Sequence, residues 1–131
     1  KAGIELFHGY TYSGHPLACA AALATLDIYA NENLFARARE MEPHFEEAVH
    51  RLDTAPGVID VRNIGLAAGI EFKTDGAVGA RAFKVFLKCL ELGALTRQAG
   101  DVIAISPPLI VSRGEIDRLV EIIAQAAAAT A

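Results

Sequence analysis

Residues 7–16 form a stretch rich in hydroxyl groups and glycine that leads directly into a long apolar segment. Ser13 would cap a helix that starts after it, and Pro16 in the first turn would lose only an N–H group that has no helical partner. A helix N-terminus offers free backbone N–H groups and the positive end of the dipole, which favour an anion such as phosphate. Thr11 and Tyr10 stand just before this helix and could add side-chain contacts. The stretch therefore predicts either a phosphate site or an ordinary helix cap.

Arg97 is the second residue whose type and position indicate chemistry. It lies in a predicted strand among apolar neighbours, where a guanidinium needs a carboxylate partner or a path to solvent. Its planar fork of N–H donors fits a carboxylate through two hydrogen bonds. From the residues alone, a substrate carboxylate and a surface Glu or Asp are equally good partners.

The other titratable residues give no comparable pattern. Asp60 and Glu71 fall on predicted strands, but nothing marks either one as a general acid or base. The four histidines lack the spacing of zinc ligands, and we expect structural or solvent-facing roles and no metal for His8, His15, His44 and His50.

The two cysteines, Cys19 and Cys89, are isolated, and each lies in an apolar helical segment. This usage is typical of small buried thiols in a reducing compartment, so we expect no disulfide and a cytoplasmic location.

The 131 residues, with a net charge of −4, are enough for one domain with an adequate core. No basic stripe indicates a nucleic-acid partner, and no apolar run is long enough to indicate a membrane span. The chain begins at Lys1 without an initiator methionine, which suggests a piece of a longer protein.

Two helices are predicted in the first half of the chain. Residues 17–30 are apolar on nearly every side, which is typical of a buried helix. Residues 34–52 carry apolar side chains at helical spacing with Glu and Arg between them, which predicts an amphipathic surface helix. Pro43 removes one hydrogen bond from that helix, so we expect a kink near Met41 rather than two helices.

Two further helices are predicted in the second half. Ser112 and Glu115 have the spacing of a capping box before the last helix, whose tail from Ala124 should fray. The apolar positions predict that this last helix buries Ile116, Leu119, Val120 and Ile123. A third helix is predicted at residues 77–92, with an apolar face made of Phe83, Phe86, Leu87 and Leu90.

Four strands complete the prediction, at residues 58–63, 66–72, 94–98 and 102–106. The last two are joined by a hairpin around Gly100, and Pro107 ends the pair because it cannot donate to a ladder. The first strand has a less regular pattern, which does not tell which of its side chains face the core. The chain is therefore predicted to be an α+β domain with a small, mostly antiparallel sheet and helices on one face.

Several motifs together resemble one enzyme family. They are HGYTYSGHPLACAA at residues 8–21, GVIDVRNIGL at 57–66, LTR at 95–97 and ISPPL at 105–109. In this order they look like the C-terminal portion of class III aminotransferases. These are pyridoxal phosphate (PLP) enzymes that include the β-alanine:pyruvate and other ω-amino acid transaminases.

The resemblance implies the C-terminal small domain of a fold-type I PLP-dependent transferase. Residues 1–31 would be a phosphate-contacting loop and an interdomain helix near the subunit interface, and residues 32–131 would be the small α+β domain. The expected partners are the protein's own N-terminal large domain and a second subunit in a homodimer. Without them, much of the interdomain helix would be exposed and would favour self-association.

The resemblance also assigns roles to site residues. Thr11 would reach across the dimer interface to the PLP phosphate of the neighbouring subunit, with Tyr10 close to the same phosphate. Arg97 would bind the α-carboxylate of the substrate and swing away when the amine donor lacks that group. The lysine that forms the Schiff base with PLP lies upstream in the family, so this chain would contain no catalytic residue and be inactive by itself.

The activity that the resemblance implies is transfer of an amino group from an ω-amino acid, such as β-alanine, or an amine to pyruvate. One alternative is another class III aminotransferase, acting on ornithine, 4-aminobutyrate or diamines. The other is a stand-alone α+β binding module that needs no upstream segment.

Overall fold

The computed structural model describes residues 9–131. Lys1 and His8 lie outside the described residues, as does most of the entry loop expected before the first helix. The described residues up to Leu34 belong to one compact unit, and Phe35–Ala131 form a second.

Helix α1, Pro16–Asn31, contains no buried residue. The helix predicted at residues 17–30 is thus present. The prediction that this helix is buried is wrong for this chain, whereas the expectation that its apolar surface is exposed without the partner domains is confirmed. Leu17 is 77% exposed and Leu23 is 64% exposed. Because apolar side chains project all round the helix, burial would need neighbours on several sides. Among residues 9–131, no helix is both long and apolar enough to cross a membrane.

Helix α2, Leu34–His50, is a single helix that contains Pro43 and is followed by a 3₁₀ turn. The expectation of one helix rather than two is confirmed, and the kink near Met41 stays a prediction. One side of α2 enters the core, where Phe45 and Val49 are completely buried. This helix therefore anchors the second unit through an aromatic side chain.

Four antiparallel strands form one sheet in the order β1-β2-β4-β3. Their bounds are Val58–Ile64 for β1, Ala67–Phe72 for β2, Arg97–Ala99 for β3 and Val102–Ile105 for β4. The predicted antiparallel sheet is confirmed, but β3 is shorter than expected and begins at Arg97. β1 and β3 are the edge strands, so the residues that they carry have only one neighbouring strand.

The two faces of the sheet differ sharply. On one face Val61, Ile70 and Ile103 are buried in the hydrophobic core with residues of α2, α3 and α4. The opposite face, here named the open face, carries Asp60, Arg62, Gly69, Glu71, Arg97 and Ala104, and none of these six is fully buried. The helices of the second unit thus pack on one face, as the sequence predicts.

Helix α3, Ala80–Glu91, buries a different face from the one predicted. Its buried residues are the small ones, Ala82, Val85 and Cys89, whereas Phe83, Leu87 and Leu90 are about half exposed. Phe86 packs against the core only in part. Small side chains let α3 lie close to α4 and the sheet, and this close packing decides which face is buried.

Helix α4, Arg113–Ala129, begins with the predicted capping box. The Ser112 hydroxyl donates to a Glu115 carboxylate oxygen at 2.7 Å, and this bond lowers the pKa of Glu115. Ile116, Val120 and Ile123 are buried as expected, whereas Leu119 is only partly buried.

The alanine-rich end of α4 does not fray as predicted. The helix continues to Ala129, and both Ala126 and Ala127 are buried in the core. Alanine is a strong helix former, and its small side chain allows close approach to neighbouring elements, so this tail packs.

The two thiols should react at very different rates in this chain. Cys19 is exposed, which corrects the expectation that it is buried, while Cys89 is fully buried and its burial raises its pKa to about 11. Because the thiolate is the reactive form, an aromatic disulfide reagent at pH 8 should modify Cys19 rapidly and Cys89 only after unfolding. The absorbance of released thiolate measures both phases. In Cys19→Ser the fast phase should vanish, and two equally fast thiols in the parent chain would contradict the placement of Cys89.

Candidate functional site

Thr11 and Tyr10 lie in a tight turn that precedes α1. The Ser13 N–H donates to the Tyr10 carbonyl at 3.0 Å, and the His15 N–H donates to the Tyr12 carbonyl at 3.2 Å. Tyr10 is 74% exposed, and Thr11 is exposed as well. The turn therefore presents a hydroxyl group beside the start of a helix.

The start of α1 is not capped as the sequence predicted. The N-cap is His15 rather than Ser13, and the His15 side chain makes no capping hydrogen bond with the first turn. Pro16 takes the first helical position, as expected, and the Cys19 N–H closes the first turn by donating to the His15 carbonyl at 3.0 Å. The backbone N–H groups of a first turn have no helical partner, so an uncapped start leaves donors for an anion. These residues fit a phosphate group.

Arg97 lies in the second unit, on the open face of the sheet. It pairs with Ala104 on β4, Ala104 pairs with Gly69 on β2, and Gly69 pairs with Arg62 on β1. Residues that pair in this way form a row across the sheet with their side chains on the same face. The row therefore has an arginine at each end and two very small residues between them.

The Arg97 side chain is exposed and, within residues 9–131, has no ion pair or hydrogen-bond partner. Its neighbour Thr96, just before β3, is buried, and the Thr96 hydroxyl has no hydrogen-bond partner among the described residues. An unpaired guanidinium keeps its charge and its fork of donors available. Arg97 is thus able to bind an external carboxylate through two hydrogen bonds.

Arg62, at the other end of the row, is already paired. Its Nη1 donates to Asp60 Oδ2 at 2.5 Å and to Glu71 Oε2 at 2.8 Å. The hydrogen bond to Asp60, and then the one to Glu71, raise the pKa of Arg62. The cluster of one guanidinium and two carboxylates has a formal charge of −1, so it does not attract a further carboxylate.

A shallow cleft of about 490 Å³ joins the two arginines. Arg62 and Arg97 stand at its ends, and Gly69 and Ala104 form part of its floor. Ligand sites commonly have about 300–1,000 Å³, so the cleft is large enough for a small amino or keto acid. A Cβ added at Gly69 would stand 3.3 Å from Val102 Cγ1, so a side chain at this position would crowd Val102.

Two of the described histidines, His44 and His50, lie against polar side chains of neighbouring elements. His44 Nε2 lies 3.3 Å from Asp117 Oδ1, which also accepts a hydrogen bond from Arg51 that lowers the pKa of Asp117. His50 Nε2 lies 3.1 Å from Asn63 Oδ1. No group of three or more metal-binding side chains occurs in the described part of the chain.

Arg62 is the residue of this site that sequence reasoning missed. The sequence marks neither Asp60 nor Glu71 as an acid or base, and the structure joins both to Arg62. The signal was the alternation on β1, where Val61 is buried and its neighbours Asp60 and Arg62 are exposed. Pairing β1 with β2 would have placed Arg62 beside Glu71.

Comparison with known proteins identifies the family. Residues 2–127 match the family profile named aminotransferase class-III. The chain is 57% identical over 123 residues to the omega-aminotransferase of Caulobacter vibrioides, which covers 93% of this chain. It is 43% identical over 124 residues to the beta-alanine–pyruvate aminotransferase of Pseudomonas aeruginosa, which covers 94% of it. The chain therefore belongs to the class III aminotransferase family, as the motifs predicted.

A solved structure agrees with this assignment. The omega transaminase of Pseudomonas jessenii in complex with PMP matches with a TM-score of 0.85 and 34% identity, over 94% of this chain and 29% of that one. The predicted fold, a small α+β domain of a fold-type I PLP-dependent transferase, is confirmed. Class III aminotransferases depend on PLP, and the uncapped start of α1 fits its phosphate end. The chain spans only 28% of the length of each of the two sequence relatives.

Proposed function

We propose that this chain is the C-terminal part of a transaminase that moves an amino group from an ω-amino acid, such as β-alanine, or an amine to pyruvate. The observation that carries the proposal is the Arg97 guanidinium at the end of the open-face cleft, which has no partner within residues 9–131. The names of the relatives, one an omega-aminotransferase and one a beta-alanine–pyruvate aminotransferase, support the substrate class. Both β-alanine and pyruvate carry one carboxylate, which is the group that Arg97 would hold.

The roles of the remaining site residues follow from their positions. PLP, when bound, carries the amino group between the two substrates. Thr11 and Tyr10 would contact its phosphate in the neighbouring subunit of a homodimer, since both are exposed beside an uncapped helix start. The lysine that bonds to PLP would belong to the large domain, so the 131 residues alone would be inactive.

Thr11→Val in the full-length enzyme should weaken PLP binding by about 10-fold to 100-fold. Valine has nearly the same shape but no donor, and a hydrogen bond to a charged group contributes about 1.5–3 kcal/mol. Titration of the apoenzyme with PLP, followed by absorbance, gives the dissociation constant. Thr11→Ser keeps the hydroxyl and should bind within a few-fold of the parent. Equal affinity in the valine variant would remove Thr11 from the phosphate site.

The substrate is tested with a panel of amino donors and pyruvate as the acceptor. Initial rates of alanine formation by the full-length enzyme would be compared for β-alanine, 4-aminobutyrate, ornithine and 1,4-diaminobutane. We expect the highest kcat/KM with β-alanine and no alanine from the 131-residue chain alone. A higher kcat/KM with one of the other three would assign the enzyme to another class III activity. Turnover or ligand binding by the chain alone, as a monomer in light scattering, would favour an independent module.

A further inference from the structure

We propose that Arg62 is a positioning residue that occupies the carboxylates of Asp60 and Glu71, so that Arg97 stays free for the substrate carboxylate. This inference rests on the proposed function, because it assumes that Arg97 binds the substrate. The observation behind it is an asymmetry on the open face: Arg62 holds two carboxylates, while Arg97, within residues 9–131, holds none.

Glu71 is close enough to compete for Arg97. It pairs with Val102, which pairs with Ala99, so Glu71 lies in the row next to that of Arg97 and on the same face. Two strand spacings and two residues along the strand separate the Cα atoms of Glu71 and Arg97 by about 12 Å. An arginine and a glutamate side chain that extend toward each other can span this gap. Asp60 is one strand farther away.

The charges on the open face explain why Arg62 is needed. Asp60 and Glu71 are paired across β1 and β2, and like charges in that position repel each other. The Arg62 Nη1 atom lies between them and bonds to both. Without this guanidinium the two carboxylates would lack a counter-charge. Arg97 lies on the same face of the sheet and has no partner among the residues that the structure describes.

Arg62 is poorly suited to bind the substrate directly. Its Nη1 atom is committed to two carboxylates, and the cluster has a net formal charge of −1, so a third carboxylate would be repelled. Arg97 has no such neighbour in the described part of the chain. The geometry therefore separates the two arginines into one that binds and one that keeps competitors away.

The test compares two amino donors in the full-length enzyme, β-alanine and 1-phenylethylamine, which has no carboxylate. Arg62→Gln should raise KM for β-alanine about five-fold, the size of an exposed ion pair that competes with the substrate, with little change in kcat. With pyruvate at a saturating concentration in every assay, KM for 1-phenylethylamine should stay the same. Arg62→Lys keeps the charge and should restore part of the loss.

The second variant separates positioning from a merely structural role. Arg62→Gln combined with Glu71→Gln removes the competitor and should return KM for β-alanine to within two-fold of the parent value. Glu71→Gln alone is the fourth protein of this double-mutant cycle, which measures how strongly the two substitutions depend on each other. Damage to the fold would instead change the kinetic constants for both donors, and this change would persist in the double variant.

Two results would overturn this inference and leave the proposed function standing. The first is an unchanged KM for β-alanine in Arg62→Gln, and the second is a raised KM that Glu71→Gln does not restore. Arg97→Met is measured alongside as the reference. If that variant leaves KM for β-alanine unchanged, the proposed function fails and the inference fails with it, so the two failures are distinguishable.

Discussion

Replacement of Arg97 with methionine should lower kcat/KM for β-alanine about 100-fold in the full-length enzyme. Methionine keeps much of the length of the side chain but removes a guanidinium that can make two charge-assisted hydrogen bonds to a carboxylate. Hydrogen bonds to charged groups contribute about 1.5–3 kcal/mol, and 1.4 kcal/mol corresponds to a factor of ten. The kcat/KM values for β-alanine and for 1-phenylethylamine as donors measure the effect, because kcat/KM for the donor does not depend on the later reaction with pyruvate. The kcat/KM for the amine should stay within about three-fold of the parent value, since the amine offers Arg97 nothing to bind.

A matched control is Arg39→Met, since Arg39 is also exposed in the second unit but lies on α2, away from the cleft residues. This variant should leave kcat/KM unchanged for both donors. An equal loss of kcat/KM with both donors in Arg97→Met would mean that Arg97 supports the fold rather than carboxylate binding. An unchanged kcat/KM with both donors in Arg97→Met would exclude Arg97 from the substrate site.

Phe45→Ala should lower the free energy of unfolding by about 3–5 kcal/mol, the largest stability change expected from a single substitution in this chain. Phe45 is completely buried in the core formed by the sheet and the helices. Its truncation removes apolar contact and leaves a cavity that the surrounding side chains fill only in part. Urea denaturation followed by circular dichroism measures the change, which is a large share of the ~5–15 kcal/mol typical of a domain.

Ile110→Ala provides the control, because Ile110 is 63% exposed. Exposed substitutions usually change the free energy of unfolding by less than about 0.5 kcal/mol. Ile70→Val should give an intermediate loss of about 0.5–1.5 kcal/mol, since Ile70 is fully buried and loses one methyl group. Similar losses in the free energy of unfolding for Phe45→Ala and Ile110→Ala would contradict the burial of Phe45.

Features decided by a few neighbouring residues could be predicted from the sequence. The capping box needs only Ser112 and Glu115, and both of its hydrogen bonds are present. The alternation of apolar with small or polar residues at 66–72 is a local pattern too, and it agrees with the burial of Ile70 and Phe72 on β2. Such patterns depend on local backbone geometry, so they hold before the tertiary structure is known.

Features decided by packing between distant elements could not be predicted in this way. The bulky residues of α3 were expected to be buried, but small residues such as Ala82 face the core because close approach to the sheet and α4 favours them. Ala126 is buried for the same reason. Arg62 was missed because its importance depends on the pairing of β1 with β2, which a single strand does not reveal. The role of Thr11 came from family resemblance and stays a prediction.

The row from Arg62 to Arg97 also bears on how such a site could diversify. Both arginines belong to edge strands, while the two middle strands contribute only Gly69 and Ala104 to the row. Larger residues at these two positions would raise the floor of the cleft without removing either charge. Under the proposed role of Arg97, single substitutions in the centre of the sheet would change the size of substrate that fits and would leave the arginine that binds the carboxylate in place.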